Sequence, residues 1–166
     1  CWLPESALLG VEGQGFNTAM AVLDRGRVEV AAMSLGIANA ALRAGLKGVR
    51  ERQIGPTPLA AYQGTQWRLA DMYAQLEGAR MLTYKAAARR DSGERFSLDS
   101  ATAKLVAAEC AGFVTDAALQ LHGGYGYIRD LPLERFVRDA RILRIFEGTS
   151  EVQKIIISRG LLDACQ

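Results

Sequence analysis

Apolar residues recur along this chain at steps of three and four. From Phe16 onward, Ala31, Leu35, Ala38, Leu42, Leu46 and Val49 fall on one face of a helix predicted to run to about Arg52, with Arg43, Lys47 and Arg50 on its other faces. Gly55, Pro56, Thr57 and Pro58 interrupt it, and Thr57 followed by Pro58 reads as the N-cap and first position of a second helix. That helix is expected to reach about Arg90 on an apolar face of Tyr62, Leu69, Tyr73, Leu76 and Met81, and to stop at Asp91, Ser92 and Gly93. A third is predicted from about Ser97 to the Gly123–Gly124 pair, with Leu98, Ala101, Leu105, Ala108, Gly112, Thr115 and Leu119 spaced three and four apart. Its small residues Ala101, Ala108 and Gly112 permit close approach of a neighbouring helix, which makes it the central one. Leu131 and Pro132 open a short helix to about Arg141. A last one begins near Thr149 or Ser150, where Ser150 with Gln153 reads as a capping box and Ile155, Ile156, Leu161 and Leu162 supply the apolar face. No stretch alternates with period two for long enough to predict a sheet. The expected fold is all-α, an antiparallel up-and-down bundle of about five helices, the three long ones side by side and the last two across one end.

Composition narrows the function classes. The 166 residues are 49% hydrophobic and 23% charged, enough for one domain with a substantial core. A formal charge of +2 is too small to hold a polyanion by phosphate neutralisation, so nucleic acid is not expected as a partner. His122, the single histidine, excludes a multi-histidine metal site and a histidine triad with a spare acid. Cys1, Cys110 and Cys165 are odd in number and far apart, which fits neither a disulfide framework nor a zinc knuckle and points to a reducing compartment or to indifference to redox. No bound metal is expected. Cys110 reads as a small buried hydrophobe. The chain opens on Cys1 rather than Met, with neither a signal peptide nor an apolar run of about 20 residues, and is expected to be a fragment without a membrane span.

Four features carry candidate chemistry. His122, Gly123, Gly124, Tyr125 and Gly126 follow a helix rather than a strand and lack the GxGxxG spacing, so they read either as a helix C-cap with a turn or as a backbone approach to a ligand. Glu147 emerges from an apolar run, Ile142, Leu143, Ile145 and Phe146, into the Gly148–Thr149 turn. A carboxylate with few waters around it is suited to general-base work; the alternative is a solvated loop acid favoured by the nearby helix N-terminus. Arg129, Arg135, Arg138, Arg141 and Arg144, interleaved with Asp130, Glu134 and Asp139, read as ion pairs on a surface or subunit contact rather than as a phosphate patch. Trp2 and Trp67 could stack on a flat ring, or sit in the core or at an interface.

Read together, GQGFNTAMAVLDRGRVEVAAMSLGIANAAL, TPLAAYQGTQWRLADM, DSATAKLVAAE, ALQLHGGYGYIRDLPLERFVRDARI and IFEGTSEVQKIIISRGLL resemble the C-terminal domain of the acyl-CoA dehydrogenase family, flavoproteins that oxidise acyl-CoA thioesters to 2-enoyl-CoA. The resemblance implies that residues 1–15 are the tail of a middle β-domain and 16–166 the helical bundle. It implies FAD as cofactor, an acyl-CoA substrate, a homodimer or homotetramer, an electron-transfer flavoprotein as acceptor, and bacterial cytoplasm or mitochondrial matrix as location. Glu147 of the EGT motif matches the base that removes the thioester α-proton, and Gly148 a position against the substrate. Asp24, Arg25, Gly26 and Arg27 match the family's CoA-side segment. Arg52 and Gln63 match residues that reach the FAD of a neighbouring subunit, and Gln120, Leu121, His122, Gly123 and Gly124 with Thr149, Ser150 and Glu151 match two further FAD-contacting segments. Where members commonly carry an aromatic residue and glycine after the Arg, this chain has Gln53, Ile54, Gly55 and Pro56. Members that relocate the base place it one residue before the Arg matched by Arg27, and that position here is Gly26, which cannot take a proton. Two other readings stay open: a helical assembly module with no turnover of its own, and a flavin monooxygenase-like relative. The EGTSE motif favours dehydrogenation over oxygenation.

Overall fold

In the computed structural model, which describes residues 1–163, the chain is an all-α bundle. Three long helices form its body: α1 (Gly15–Glu51), α2 (Gln63–Asp91) and α3 (Ser97–His122). A one-turn helix α4 (Gly124–Tyr127) and the helices α5 (Leu133–Ile142) and α6 (Ser150–Asp163) follow. Helix α3 packs against all the others and is the spine of the domain. Its buried residues run round most of its circumference and are largely alanines: Ala101, Ala103, Ala107, Ala108, Ala111, Ala117 and Ala118. A side chain of one carbon on every face lets α1 and α2 lie close against it at once. Val30, Ala38 and Leu42 from α1, and Met72, Leu76 and Ala79 from α2, complete that core.

Several expectations change. The second helix starts at Gln63, not at Thr57–Pro58. Those two residues instead form β2 (Thr57–Pro58) of a small antiparallel hairpin with β1 (Gln53–Ile54), in the register Gln53↔Pro58 and Ile54↔Thr57. Pro58 can serve an edge strand because it needs no ladder donor. The capping box at Ser150 is absent. Gln153 sends its side chain to the carbonyls of Glu147 and Gly148, and the Ser150 hydroxyl bonds Glu109 Oε1 at 2.6 Å. Thr149 caps α6 instead, its carbonyl accepting the Gln153 N–H at 3.0 Å. The glycine turn contains α4, which is too short to show a period. Tyr73 and Met81 on α2, and Ile155, Leu161 and Leu162 on α6, face outward, so those apolar faces lie uncovered within this chain. Trp2 and Trp67 are exposed too. At Gly112, on the side of α3 toward α5, a Cβ would stand 2.8 Å from Arg144 Nη2, so the guanidinium lies over that glycine. Residues 1–14 carry one 3-10 turn and bury no side chain. Cys165 lies outside the described residues.

Candidate active site

Two constellations form at opposite ends of α3. The first surrounds Glu147. A Cβ on Gly26 of α1 would lie 2.6 Å from Glu147 Oε2, so the carboxylate rests directly on the α1 backbone at the one nearby position without a side chain. Glu147 has φ 54° and Gly148 φ 88°, two successive residues in the left-handed region. For a glutamate that conformation costs about 1–2 kcal/mol and persists only where surrounding bonds hold it. They do: Lys104 Nζ donates to the Gly148 carbonyl at 2.7 Å, and Gln153 Nε2 donates to the carbonyls of Gly148 at 2.8 Å and Glu147 at 3.1 Å. Lys104 and Gln153 are both fully buried. Loss of hydration pushes the Lys104 ammonium below its usual range, as does the nearby Arg27, while Glu109, Glu147 and Glu151 act in the opposite direction.

Beside this turn, Asp24 pairs with Arg27 and accepts from the hydroxyls of Ser97 and Ser100, tying α1 to the start of α3. Arg27 is buried and its Nε lacks a partner among the described residues. Arg25 is exposed. The Glu151 carboxyl is held below its ordinary range, first by its own backbone N–H and then by the Thr149 hydroxyl, at the start of α6. Ser150 is turned inward to Glu109.

The second constellation lies where α1 ends. His122 Nδ1 faces the Ala118 carbonyl at 2.8 Å, and its ring covers Gly48, where a Cβ would lie 2.3 Å from Nε2. Arg52 Nη1 donates to the Leu121 carbonyl at 3.1 Å. Gly123 adopts φ 60°, and a Cβ on it would stand 2.9 Å from Arg52 Nη1, so the C-cap glycine also lets the guanidinium pass. Gln63 starts α2 on the same side, beyond the hairpin, and Gln120 is exposed. A groove of about 810 Å³ opens here, lined by Ala44, Gly48, Arg52, His122, Tyr125 and Leu131 among others.

From Gly26 to Gly48 along α1 is 22 residues, about 33 Å at 1.5 Å per residue. The Glu147 turn and the Arg52 groove are therefore separate surfaces, and Gln120–Gly124 and Thr149–Glu151 are not brought together. The sequence signals Lys104 only as a lone lysine in the alanine-rich run of α3, and Gln153 only as half of a capping box.

The sequence matches "Acyl-CoA dehydrogenase, C-terminal domain" over residues 13–162. The chain belongs to the acyl-CoA dehydrogenase family. It is 48% identical over 98% of its length to an acryloyl-CoA reductase (NADH) of Anaerotignum propionicum, covering 41% of that protein. It is 45% identical over 98% of its length to the mitochondrial short-chain specific acyl-CoA dehydrogenase of Rattus norvegicus, covering 39% of it. Among solved structures, butyryl-CoA dehydrogenase from Megasphaera elsdenii superposes with TM-score 0.95 at 46% identity, over 96% of this chain and 42% of that one. The chain thus spans about two fifths of the length of these relatives. No helix among the described residues is long and apolar enough to cross a membrane.

Proposed function

We propose that this domain supplies the catalytic base and part of the flavin site of an enzyme that oxidises an acyl-CoA thioester to its 2-enoyl-CoA. The observation that carries the reading is the Glu147 carboxylate, half-buried and held on a braced left-handed turn against Gly26. Glu147 takes the α-proton of the thioester, Gly148 is the next residue along the turn against the substrate, and of the Asp24–Arg27 segment Arg25 is the exposed side chain that faces CoA. Bound FAD supplies the hydride acceptor for the β-hydrogen. The groove fits such a dinucleotide. Arg52 offers a guanidinium with a single protein acceptor among the described residues, and the C-cap at Gly123 has no side chain. The 33 Å between groove and base supports the resemblance-implied division of labour, in which Arg52 and Gln63 serve a neighbouring subunit while Thr149 to Glu151 serve their own. Trp67, Tyr73, Met81 and Tyr84, exposed on α2, support self-association as a homodimer or homotetramer. Residues 1–15 then lead in from a middle domain, the isolated domain lacks turnover, and an electron-transfer flavoprotein is the acceptor.

The test is Glu147→Gln in the whole protein. Flavin content stays, while anaerobic bleaching of the flavin by a saturated acyl-CoA slows by at least about 10²-fold. Bleaching at the unmodified rate removes Glu147 as the base. A second reading, reduction of a 2-enoyl thioester, is favoured by the acryloyl-CoA reductase relative. Glu147 would then return the α-proton, and reoxidation of the pre-reduced protein by a 2-enoyl-CoA, compared with its bleaching by the saturated thioester, separates the two directions.

A further inference from the structure

We propose that Lys104 and Gln153 are positioning residues for Glu147, a buried two-donor clamp that fixes the carbonyls of the Glu147–Gly148 turn and thereby aims the base. The inference rests on the reading of Glu147 as base and deepens it. Two facts make the clamp more than core packing. The turn strings together two left-handed residues, of which only one is glycine, so without external bonds Glu147 relaxes toward φ < 0 and its carboxylate leaves Gly26. And the donors arrive from two different elements, Lys104 from α3 and Gln153 from α6, onto one carbonyl oxygen, that of Gly148.

The chemistry of the donors fits this task. An ammonium with no exposed surface is costly to keep in a domain core, and an apolar side chain of the same length would pack there without that cost. What an apolar residue cannot do is satisfy a carbonyl whose orientation defines the turn. Gln153 is placed by the same logic: a Cβ on Gly148 would lie 2.7 Å from its Nε2, so the amide occupies the space a side chain there would need.

The experiment uses the whole flavin-loaded dehydrogenase carrying Lys104→Met or Gln153→Leu, with Glu147→Gln as reference. Hydrogen exchange is followed in the peptide covering residues 143–153 and in the rest of α3. The rate constant of anaerobic flavin reduction is measured per bound flavin. The expected result is faster exchange confined to the 143–153 peptide. With it goes a fall in the reduction rate constant of about tenfold or more, since a misplacement near 1 Å is worth about 10²-fold, with thioester binding little changed. A role in packing alone moves the unfolding midpoint and flavin content but leaves the per-flavin rate constant intact, and that result overturns the proposal. If Lys104→Met does not fold, Gln153→Leu decides, by the same two readouts. Full-rate reduction in Glu147→Gln would sink the base reading independently, whatever the clamp variants do.

Discussion

Gly126→Ala tests how tightly the end of α3 is closed. Gly126 is buried in α4, and a Cβ built on it would stand 2.6 Å from the Leu119 carbonyl oxygen, 3.0 Å from His122 Cβ and 3.3 Å from the Leu119 carbonyl carbon. Ordinary contact begins at 3.4 Å, so α4 and the last turn of α3 must separate by about 0.8 Å. The obstacle is backbone, which cannot swing aside as a side chain would. Overpacking of this kind costs about 1–3 kcal/mol, and the gain in helix propensity returns up to about 1, leaving a net loss of about 1–2 kcal/mol. Equilibrium urea unfolding should report a lower midpoint at unchanged slope. The control is Gly78→Ala, exposed in the middle of α2 with nothing within 4 Å of its Cβ, which should gain stability by up to about 1 kcal/mol. Wild-type stability in Gly126→Ala, or equal shifts in both variants, would refute the steric argument.

Burial pushes the Cys110 thiol up to about 11, so iodoacetamide at pH 8 should modify exposed Cys1 and spare Cys110 until the protein is unfolded, as read by peptide mapping. Gly148→Ala places a side chain at φ 88° and 2.7 Å from Gln153 Nε2, and should lower stability by about 1–2 kcal/mol in urea unfolding. Lys104 gives a pH dependence. Its folded pKa lies below 10.5, so between that lowered value and 10.5 the unfolded chain binds more protons and stability rises with pH. The difference in unfolding free energy between the native protein and Lys104→Met should therefore climb as pH approaches 10.5, and a flat difference would show that burial does not perturb this ammonium.

The parts of the fold that could be read from sequence are those where local pattern and tertiary packing agree. Helices α1 and α3 end within about two residues of where periodicity and glycine stops put them, because Val49 is the last buried residue of the α1 seam and Gly123, at φ 60°, caps α3. Thr57 and Pro58 misled because an N-cap pair is equally good at an edge strand, and the choice was made by the Leu59 N–H reaching back to the Arg52 carbonyl at 2.8 Å, a bond across the hairpin that no local rule anticipates. Glu147 was legible through its motif. Lys104 was not, because its partner is a backbone carbonyl 44 positions away, and a backbone atom leaves no mark in the sequence. Gln153 looked like half of a capping box because a side chain five and six positions from the turn carbonyls can bond the turn as readily as the helix start.

The alanine-rich spine links these two ends. Lys104 and His122 lie 18 residues apart on α3, about 27 Å along its axis; Lys104 is buried on the Gly148 carbonyl, and His122 is half-buried over Gly48 of α1. Between them, the one-carbon side chains of α3 are buried against α1. A change in crossing angle or register between the two helices therefore moves Gly26 under Glu147 and Gly48 under His122 together. The separation of base and groove, about 33 Å along α1, is fixed by the packing of two rigid rods, and the self-association proposed above would set one copy's groove beside another's base. In that proposed pairing, Trp67 and Tyr73 on α2 and Leu161 on α6, uncovered within this chain, are the side chains a second copy would bury.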